Sequence, residues 1–214
     1  MSDGSKNAAT LSAQGTRLNR RGLDSRRRFI DAAISILADG DPTAASANQV
    51  AKRAGFTWGA VQHLFGDTDG VWAAVMEELI ERVARFSSLP PVRSGTSLRR
   101  RMTDIIELLW LGFGSPEARA AEHLRMSLPR DPKVLSATYP KTDAVLRRFD
   151  REWAALWDQL FAGLPVTKPK LRRIRSLVPA ALRGLRREAE MTSFVEADDG
   201  RRALVDALVA YVEH

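Results

Sequence analysis

Apolar residues recur at helical spacing along most of the chain, and no stretch alternates apolar and polar in the way a half-buried strand would. Phe29, Ala33, Ile36 and Leu37 fall at i, i+4, i+7 and i+8, one face of an α-helix. Asp24 or Ser25 is expected to cap its start. Gly40 before Asp41-Pro42 is expected to end it, because glycine tolerates a left-handed terminus and proline cannot continue a helix. A short helix is predicted next. Ser46 with Gln49 three residues later reads as a capping box, Val50, Ala51 and Ala54 make a small apolar face, and Gly55 ends it. Thr57 then caps a third helix carrying Ala60, Val61 and Leu64, closed by Phe65-Gly66. Asp67 caps a fourth, striped by Val71, Val75, Leu79, Val83 and Phe86 and terminated by Pro90-Pro91.

The rest of the chain keeps the same period. Leu98, Met102, Ile105, Leu109 and Phe113 predict another helix. Pro116 suits the first turn of one more, running to about Leu128, and Pro129, Pro132 and Pro140 read as a connection. A long helix is predicted over 142–161 with Val145, Phe149, Trp153, Leu156 and Leu160 inward, followed by helices over 168–190 and 197–213. The fold class is therefore all-α.

Residues 1–22 are nearly free of large apolar groups and too poor in them to build a core, so they predict a flexible arm. Between positions 17 and 28 this arm and the helix after it carry six arginines, at 17, 20, 21, 26, 27 and 28, against one acid, Asp24. With a net charge of +7 for the whole chain, this favours an anionic partner such as nucleic acid. The absence of cysteine excludes disulfides, thiolate catalysis and Cys-ligated zinc, and no metal or cofactor is expected. Residues 1–22 hold no apolar segment of signal-peptide type, and the longest apolar run, Leu108 to Phe113, is far short of the roughly 18 residues a membrane span needs. A cytoplasmic protein without a membrane partner is the expectation.

Function is carried by the order of the short elements: helix, tight stop, short helix, glycine turn, short helix. Ala51 is small where two helices cross, Gly55 lets the backbone turn, and Val50, Val61 and Leu64 can clamp the pair to the first helix. These are the parts of a helix-turn-helix, whose second helix is free to enter the DNA major groove. The segment Phe29 to Val71 resembles the DNA-binding domain of the TetR (tetracycline repressor) family of regulators. The resemblance rests on Ile30-Asp31-Ala32-Ala33, Gly40, Val50-Ala51, Ala54-Gly55, Gly59, His63 and Phe65. It covers about the first third of the chain, and the chain departs from the pattern at Gln62, where the family often has Tyr, and at Thr68, where it usually has Lys.

The resemblance implies an N-terminal three-helix helix-turn-helix domain, residues 23–70, behind the arm over 1–22. It also implies a C-terminal helical ligand-binding and dimerisation domain over 71–214. The candidate DNA-binding residues are Arg26, Arg27, Ser46, Lys52, Thr57, Trp58, Gly59, Ala60, Gln62 and His63. Their individual roles stay open. Thr57 is an N-cap whose neighbouring N–H groups can also meet a phosphate. Trp58 either packs on the turn or meets a thymine methyl or sugar. Gln62 reads adenine, meets a phosphate or is solvated. His63 meets a phosphate rather than a base, or has a buried structural role. Arg26, Arg27 and Arg28 serve phosphates or a minor groove, or only solvate a helix start.

In the C-terminal part, the resemblance implies a dimer through the last two helices, with Leu171, Ile174, Val178, Leu182, Leu185, Leu204, Leu208 and Tyr211 at the interface. The stretch 168–187 holds eight Lys and Arg and no acid, either a solvated face or a second anionic contact. Candidates for a small-molecule effector pocket are Trp110, Phe113, His123, Met126, Phe149, Trp153 and Trp157. The function implied is a ligand-responsive regulator, a repressor by the family's commoner habit. It would bind palindromic double-stranded operator DNA as a homodimer and be released by an effector. A nonspecific basic DNA-binding protein is the alternative. An all-helical enzyme is disfavoured, since there is no G-x-S-x-G, P-loop, G-x-G-x-x-G or H-E-x-x-H, and the three histidines, His63, His123 and His214, lie far apart.

Overall fold

The computed structural model describes residues 11–40, 46–86, 96–192 and 194–214. The stop signals Asp41-Pro42 and Pro90-Pro91 and the first ten residues of the arm lie outside them. The described helices are α1 (Arg20–Ala38), α2 (Ala47–Arg53), α3 (Trp58–Phe65), α4 (Thr68–Phe86), α5 (Leu98–Phe113), α6 (Pro116–Ser127), α7 (Pro132–Thr138), α8 (Pro140–Leu160), α9 (Lys168–Met191) and α10 (Ala197–Glu213). Among the described residues the extended pairing is limited to an isolated bridge between Leu11 and Arg17, so the fold is all-α.

Two compact units divide the chain: Met1–Arg82 with Pro116–Arg147, and Val83–Ser115 with Arg148–His214. The first extends well past the 23–70 segment. Its core joins Phe29, Ala33 and Leu37 of α1 to Val50 and Ala51 of α2, Val61, Leu64 and Phe65 of α3, Val71, Trp72, Val75 and Leu79 of α4, and Ala120 and Leu124 of α6. Phe29 is the hub. It is fully buried, meets the Phe56 ring edge-on at 5.4 Å and lies 5.1 Å from the Phe65 ring. Truncating such a side chain to Ala typically costs about 3–5 kcal/mol. α6 packs along α1, and the His123 ring Nδ1 lies 2.7 Å from the Leu37 carbonyl near the end of that helix.

Three local expectations change. α1 begins at Arg20, not at Asp24 or Ser25, because the Asn19 side chain accepts the Gly22 N–H at 2.9 Å. An arginine-rich first turn has no apolar signal, so periodicity alone starts the helix a turn late. The arm expected to be flexible over 1–22 is, from residue 11 on, a docked turn with Ser12 and Leu18 buried. The proline-punctuated connection contains α7, in which Pro132 sits in the first turn and the Asp131 carboxylate accepts the Lys133 N–H at 2.8 Å.

The second unit packs α5 against α9 and α10, around Met102, Ile105, Ile106, Leu109, Trp157, Leu160, Ile174, Val178, Leu182, Val205 and Leu208. Buried Arg101 donates from Nε to the Leu160 carbonyl at 2.9 Å.

Candidate nucleic-acid interface

Sequence chemistry sets the helix-turn-helix locally. Ser46 Oγ accepts the Gln49 N–H at 3.5 Å, and Thr57 Oγ1 accepts the Ala60 N–H at 3.2 Å, so each hydroxyl caps its helix as the sequence predicts. Both caps remain exposed, with their own O–H free to donate outward. Gly55, at φ 74°, turns the chain between α2 and α3 in a conformation a side chain would strain. Val61, Leu64 and Phe65 then bury one face of α3 and leave Gly59, Ala60, Gln62 and His63 exposed on the other. Two of those four carry almost no side chain, so a surface could approach the α3 backbone closely there.

Trp58 packs inward, half-buried against the core, and also faces a groove of about 450 Å³ that it lines with Ser46, Ala47, Asn48, Thr68 and Tyr139. Lys52 is exposed on α2. Asn48, Thr68 and Tyr139 were not among the sequence candidates. Tyr139 comes from the end of α7, far along the chain, and no local pattern could have placed it beside α2.

The two arginine candidates part company. Arg27 is exposed. Arg26 turns inward, its guanidinium 5.3 Å from the centre of the Phe65 ring. Burial pushes the Arg26 guanidinium below its usual value, against the pull of Glu77 and Glu78. Arg26 therefore ties α1 to α3 instead of facing outward. Arg28 lies 5.9 Å from the Phe56 ring.

Behind the groove, α4 and α8 start together. Asp69 is buried and accepts the Lys141 N–H at 2.8 Å, the Thr142 N–H at 2.9 Å and the Thr142 hydroxyl at 2.8 Å. Asp67 accepts the Gly70 N–H at 2.7 Å and pairs with the Lys141 ammonium at 3.0 Å. Burial works against the charged form of Asp67, but the Gly70 N–H and Lys141 outweigh it and hold the carboxyl below the usual range.

The effector candidates fall into separate groups. Phe149, Trp153 and Trp157 form a ladder on α8 in the second unit, with ring centroids 5.9 Å apart at both steps, and the ladder continues to Phe161 at 5.6 Å. Trp157 is fully buried, and its Nε1 has no hydrogen-bond partner among the described residues. Trp110 stacks on the Arg186 and Arg201 guanidinium groups, at 4.0 and 4.7 Å from its ring centre, and Phe113 on that of Arg183 at 4.7 Å. His123 and Met126 belong to the first unit, where His123 meets the Leu37 carbonyl and Met126 is 53% exposed.

The dimer candidates also divide. Ile174, Val178, Leu182 and Leu208 are 0–3% exposed and face the core of their own unit, so they offer no surface to a second copy. Leu171, Leu185, Leu204 and Tyr211 are half-buried at its edge. The exposed faces of α9 and α10 carry Leu177, Ala180 and Gly184 on one and Ala203, Ala207 and Ala210 on the other, flanked by charged residues such as Arg173, Arg183, Arg202 and Asp206.

No protein-family profile and no curated protein sequence matches the chain. Solved structures do. A transcriptional regulator from Rhodococcus sp. Rha1 superposes with a TM-score of 0.61 at 23% identity, over 88% of this chain and 95% of that one. A second Rhodococcus sp. protein, assigned to the TetR family of transcriptional regulators, gives 0.59 at 20% identity over 89% and 100%. The multidrug binding protein EbrR, solved with imidazole, gives 0.57 at 20% identity over 92% and 97%. The chain has the all-α fold of these proteins, the TetR-family regulator among them. Among its described residues, no helix is long and apolar enough to cross a membrane.

Proposed function

We propose that the chain is a DNA-binding transcriptional regulator that works in the cytoplasm as a homodimer on palindromic operator DNA. The observation that carries this reading is α3. It is an eight-residue helix held by Val61, Leu64 and Phe65 with Gly59, Ala60, Gln62 and His63 facing out. That face suits the major groove, with Gln62 able to pair with adenine and His63 with a phosphate. The capping hydroxyls of Ser46 and Thr57, together with Lys52 and Arg27, supply donors to the flanking phosphates. The 450 Å³ groove beside Trp58 would receive the sugar–phosphate backbone.

The dimer would form through the small-residue stripes of α9 and α10, where Ala and Gly let helices of two copies approach closely. Two recognition helices would then meet half-sites spaced by whole DNA turns. Release would come from an aromatic-compatible effector in the second unit, which holds the Phe149–Trp153–Trp157 ladder and, separately, Trp110 and Phe113 on their arginines. EbrR, with the same fold, is described as a multidrug binding protein, which supports a small-molecule role for that unit. An effector shifts DNA affinity only by its different affinity for the two states.

The test is selection of bound duplexes from a random pool at moderate salt. Enrichment of an inverted repeat is expected. Salt-sensitive binding with no enrichment would make the chain a nonspecific DNA binder. On the selected duplex, Gln62→Ala is expected to change sequence preference, and Arg27→Ala to weaken all sequences alike. Identical uniform losses would overturn those roles.

A further inference from the structure

The segment before α1 makes a specific contact with the helix assigned above to DNA. Ser12 N–H donates to the Thr16 carbonyl at 2.7 Å, Gly15 N–H to the Ser12 carbonyl at 3.0 Å, and Thr16 N–H to Ser12 Oγ at 3.2 Å. Gly15 takes φ 77°, and the Leu11–Arg17 bridge closes the ends. Residues 11–17 are thus a self-bonded hairpin turn, and Leu18 anchors it in the core of the first unit. From this turn the Ala13 N–H reaches the His63 carbonyl at 3.1 Å, and a Cβ placed on Gly66 would lie 3.3 Å from that of Ala13.

The position of that bond matters. α3 has eight residues, too few to be stable alone, and the carbonyls of its last turn lack partners inside the helix. Gly66 N–H serves Gln62, and Ala13 serves His63. The end of the recognition helix that carries the outward Gln62 and His63 side chains is therefore fixed from outside by the N-terminal segment. The same turn leaves Arg17 exposed one residue beyond Thr16, whose carbonyl is bonded to the neighbour of Ala13. An arginine on a docked turn loses little freedom when it meets a phosphate, unlike one on a loose arm. A cation near a helix C-terminus is also favourable in the free protein.

We propose that residues 11–18 are a positioning clip for DNA binding. Ala13 pins the C-terminal end of α3 through the His63 carbonyl, and Arg17, held on the clip, contacts a backbone phosphate beside the site α3 reads. The inference rests on the DNA-binding reading given above. It replaces a mobile basic arm with a rigid one, in which a backbone N–H sets the pose of α3 and one named arginine adds to the electrostatic footprint.

The test uses the full chain with three variants, Ala13→Pro, Arg17→Ala and Arg17→Lys, on both the selected duplex and a random one. Ala13→Pro removes the donor and leaves every charge. It is expected to weaken the selected duplex about 5-fold or more, the equivalent of one net hydrogen bond, with an unchanged salt slope. It is also expected to speed amide exchange at Phe65 and Gly66 in the DNA-free protein. Arg17→Ala is expected to weaken both duplexes alike and to reduce the salt slope by about 0.9, one phosphate, while Arg17→Lys restores the slope. Thermal melts separate these effects from misfolding, and the DNA-free exchange reads the clip even in a weakly binding variant. Unchanged affinity and exchange in Ala13→Pro would overturn the clip. An unchanged salt slope in Arg17→Ala would overturn the phosphate contact. A wild-type chain that binds neither duplex would sink the DNA-binding reading itself.

Discussion

Asp69→Ala is expected to be among the most damaging single changes at the polar junction of the first unit. α8 begins with Pro140, which has no N–H to satisfy, and then presents the N–H groups of Lys141 and Thr142 to a carboxylate 72 and 73 residues away in sequence. Asp69 thereby acts as the cap that Tyr139, just before the helix, has no suitable side chain to be. Lys141 is exposed, so water can take over its N–H when the carboxylate is removed. Thr142 is fully buried, and its N–H would lose Asp69 Oδ1, while its hydroxyl would lose Oδ1 but keep the Asp69 backbone carbonyl, 3.2 Å away. The one stranded N–H costs about 1–3 kcal/mol, and the hydrogen bond lost at Lys141 about 1 kcal/mol more, for a total of about 2–4 kcal/mol. For a chain of this size that corresponds to a fall in Tm of about 4–16 °C.

Urea unfolding followed by circular dichroism measures the loss, and amide exchange at Thr142 locates it. Thr142→Val keeps the shape and removes the hydroxyl that donates to Asp69 Oδ1, a bond that each single variant loses. The double variant with Asp69→Ala should therefore be less destabilised than the two single losses added together, by about 1 kcal/mol, one net hydrogen bond. An Asp69→Ala protein within about 1 kcal/mol of the parent, or strict additivity in the cycle, would refute the assignment of Asp69 as the trans-acting cap of α8.

Three other expectations follow from the geometry. A Cβ on Gly70 would lie 2.0 Å from the Phe65 carbonyl oxygen, a backbone atom that cannot swing away, so Gly70→Ala should destabilise the first unit by about 3 kcal/mol or more; normal melting in that variant would show that the corner between α3 and α4 is not tight. Ala180→Glu with Ala207→Glu, both at exposed positions, should turn a dimer into a monomer of unchanged helicity by sedimentation, whereas Ile174→Ala should cost about 2–5 kcal/mol within the subunit; a charged double variant that stays dimeric would move the interface elsewhere. Because the Asp67 carboxyl is held below its ordinary range, its contribution is present above pH about 4 and is lost as the pH falls through the lowered value, so the stability gap between parent and Asp67→Asn should close below about pH 4; a gap that does not vary with pH would exclude the Lys141 pairing as its source.

The helix-turn-helix was legible because its signals are local. Ser46 and Thr57 cap within three residues of themselves, Gly55 turns in place, and the spacing of Val61, Leu64 and Phe65 names the buried face of α3. The parts that were missed depend on partners distant in sequence. Nothing near Asp69 announces Thr142, nothing near Ala13 announces His63, and Tyr139 joins the groove from beyond α7. The same division explains the arginines. Positions 26 and 27 look alike in a basic run, yet a one-residue step turns a side chain by about 100° on a helix, enough to send Arg26 to Phe65 and leave Arg27 in solvent.

Four of the dimer candidates lie inside their own unit for a further reason. Periodicity finds the most apolar stripe of a helix, and a subunit claims that stripe for itself first, because Ile174, Val178 and Leu182 can bury fully without waiting for a second chain. The dimer proposed above would use the next stripe around each helix, where Ala180, Gly184, Ala203, Ala207 and Ala210 sit among charged neighbours. Small residues score weakly as hydrophobic signal. Yet they let two helix backbones come close, where dispersion over many atom pairs replaces large side chains. For the proposed dimer, the association surface is therefore better sought in the small-residue stripe beside the strongest apolar one, because the subunit's own core has already taken the strongest stripe.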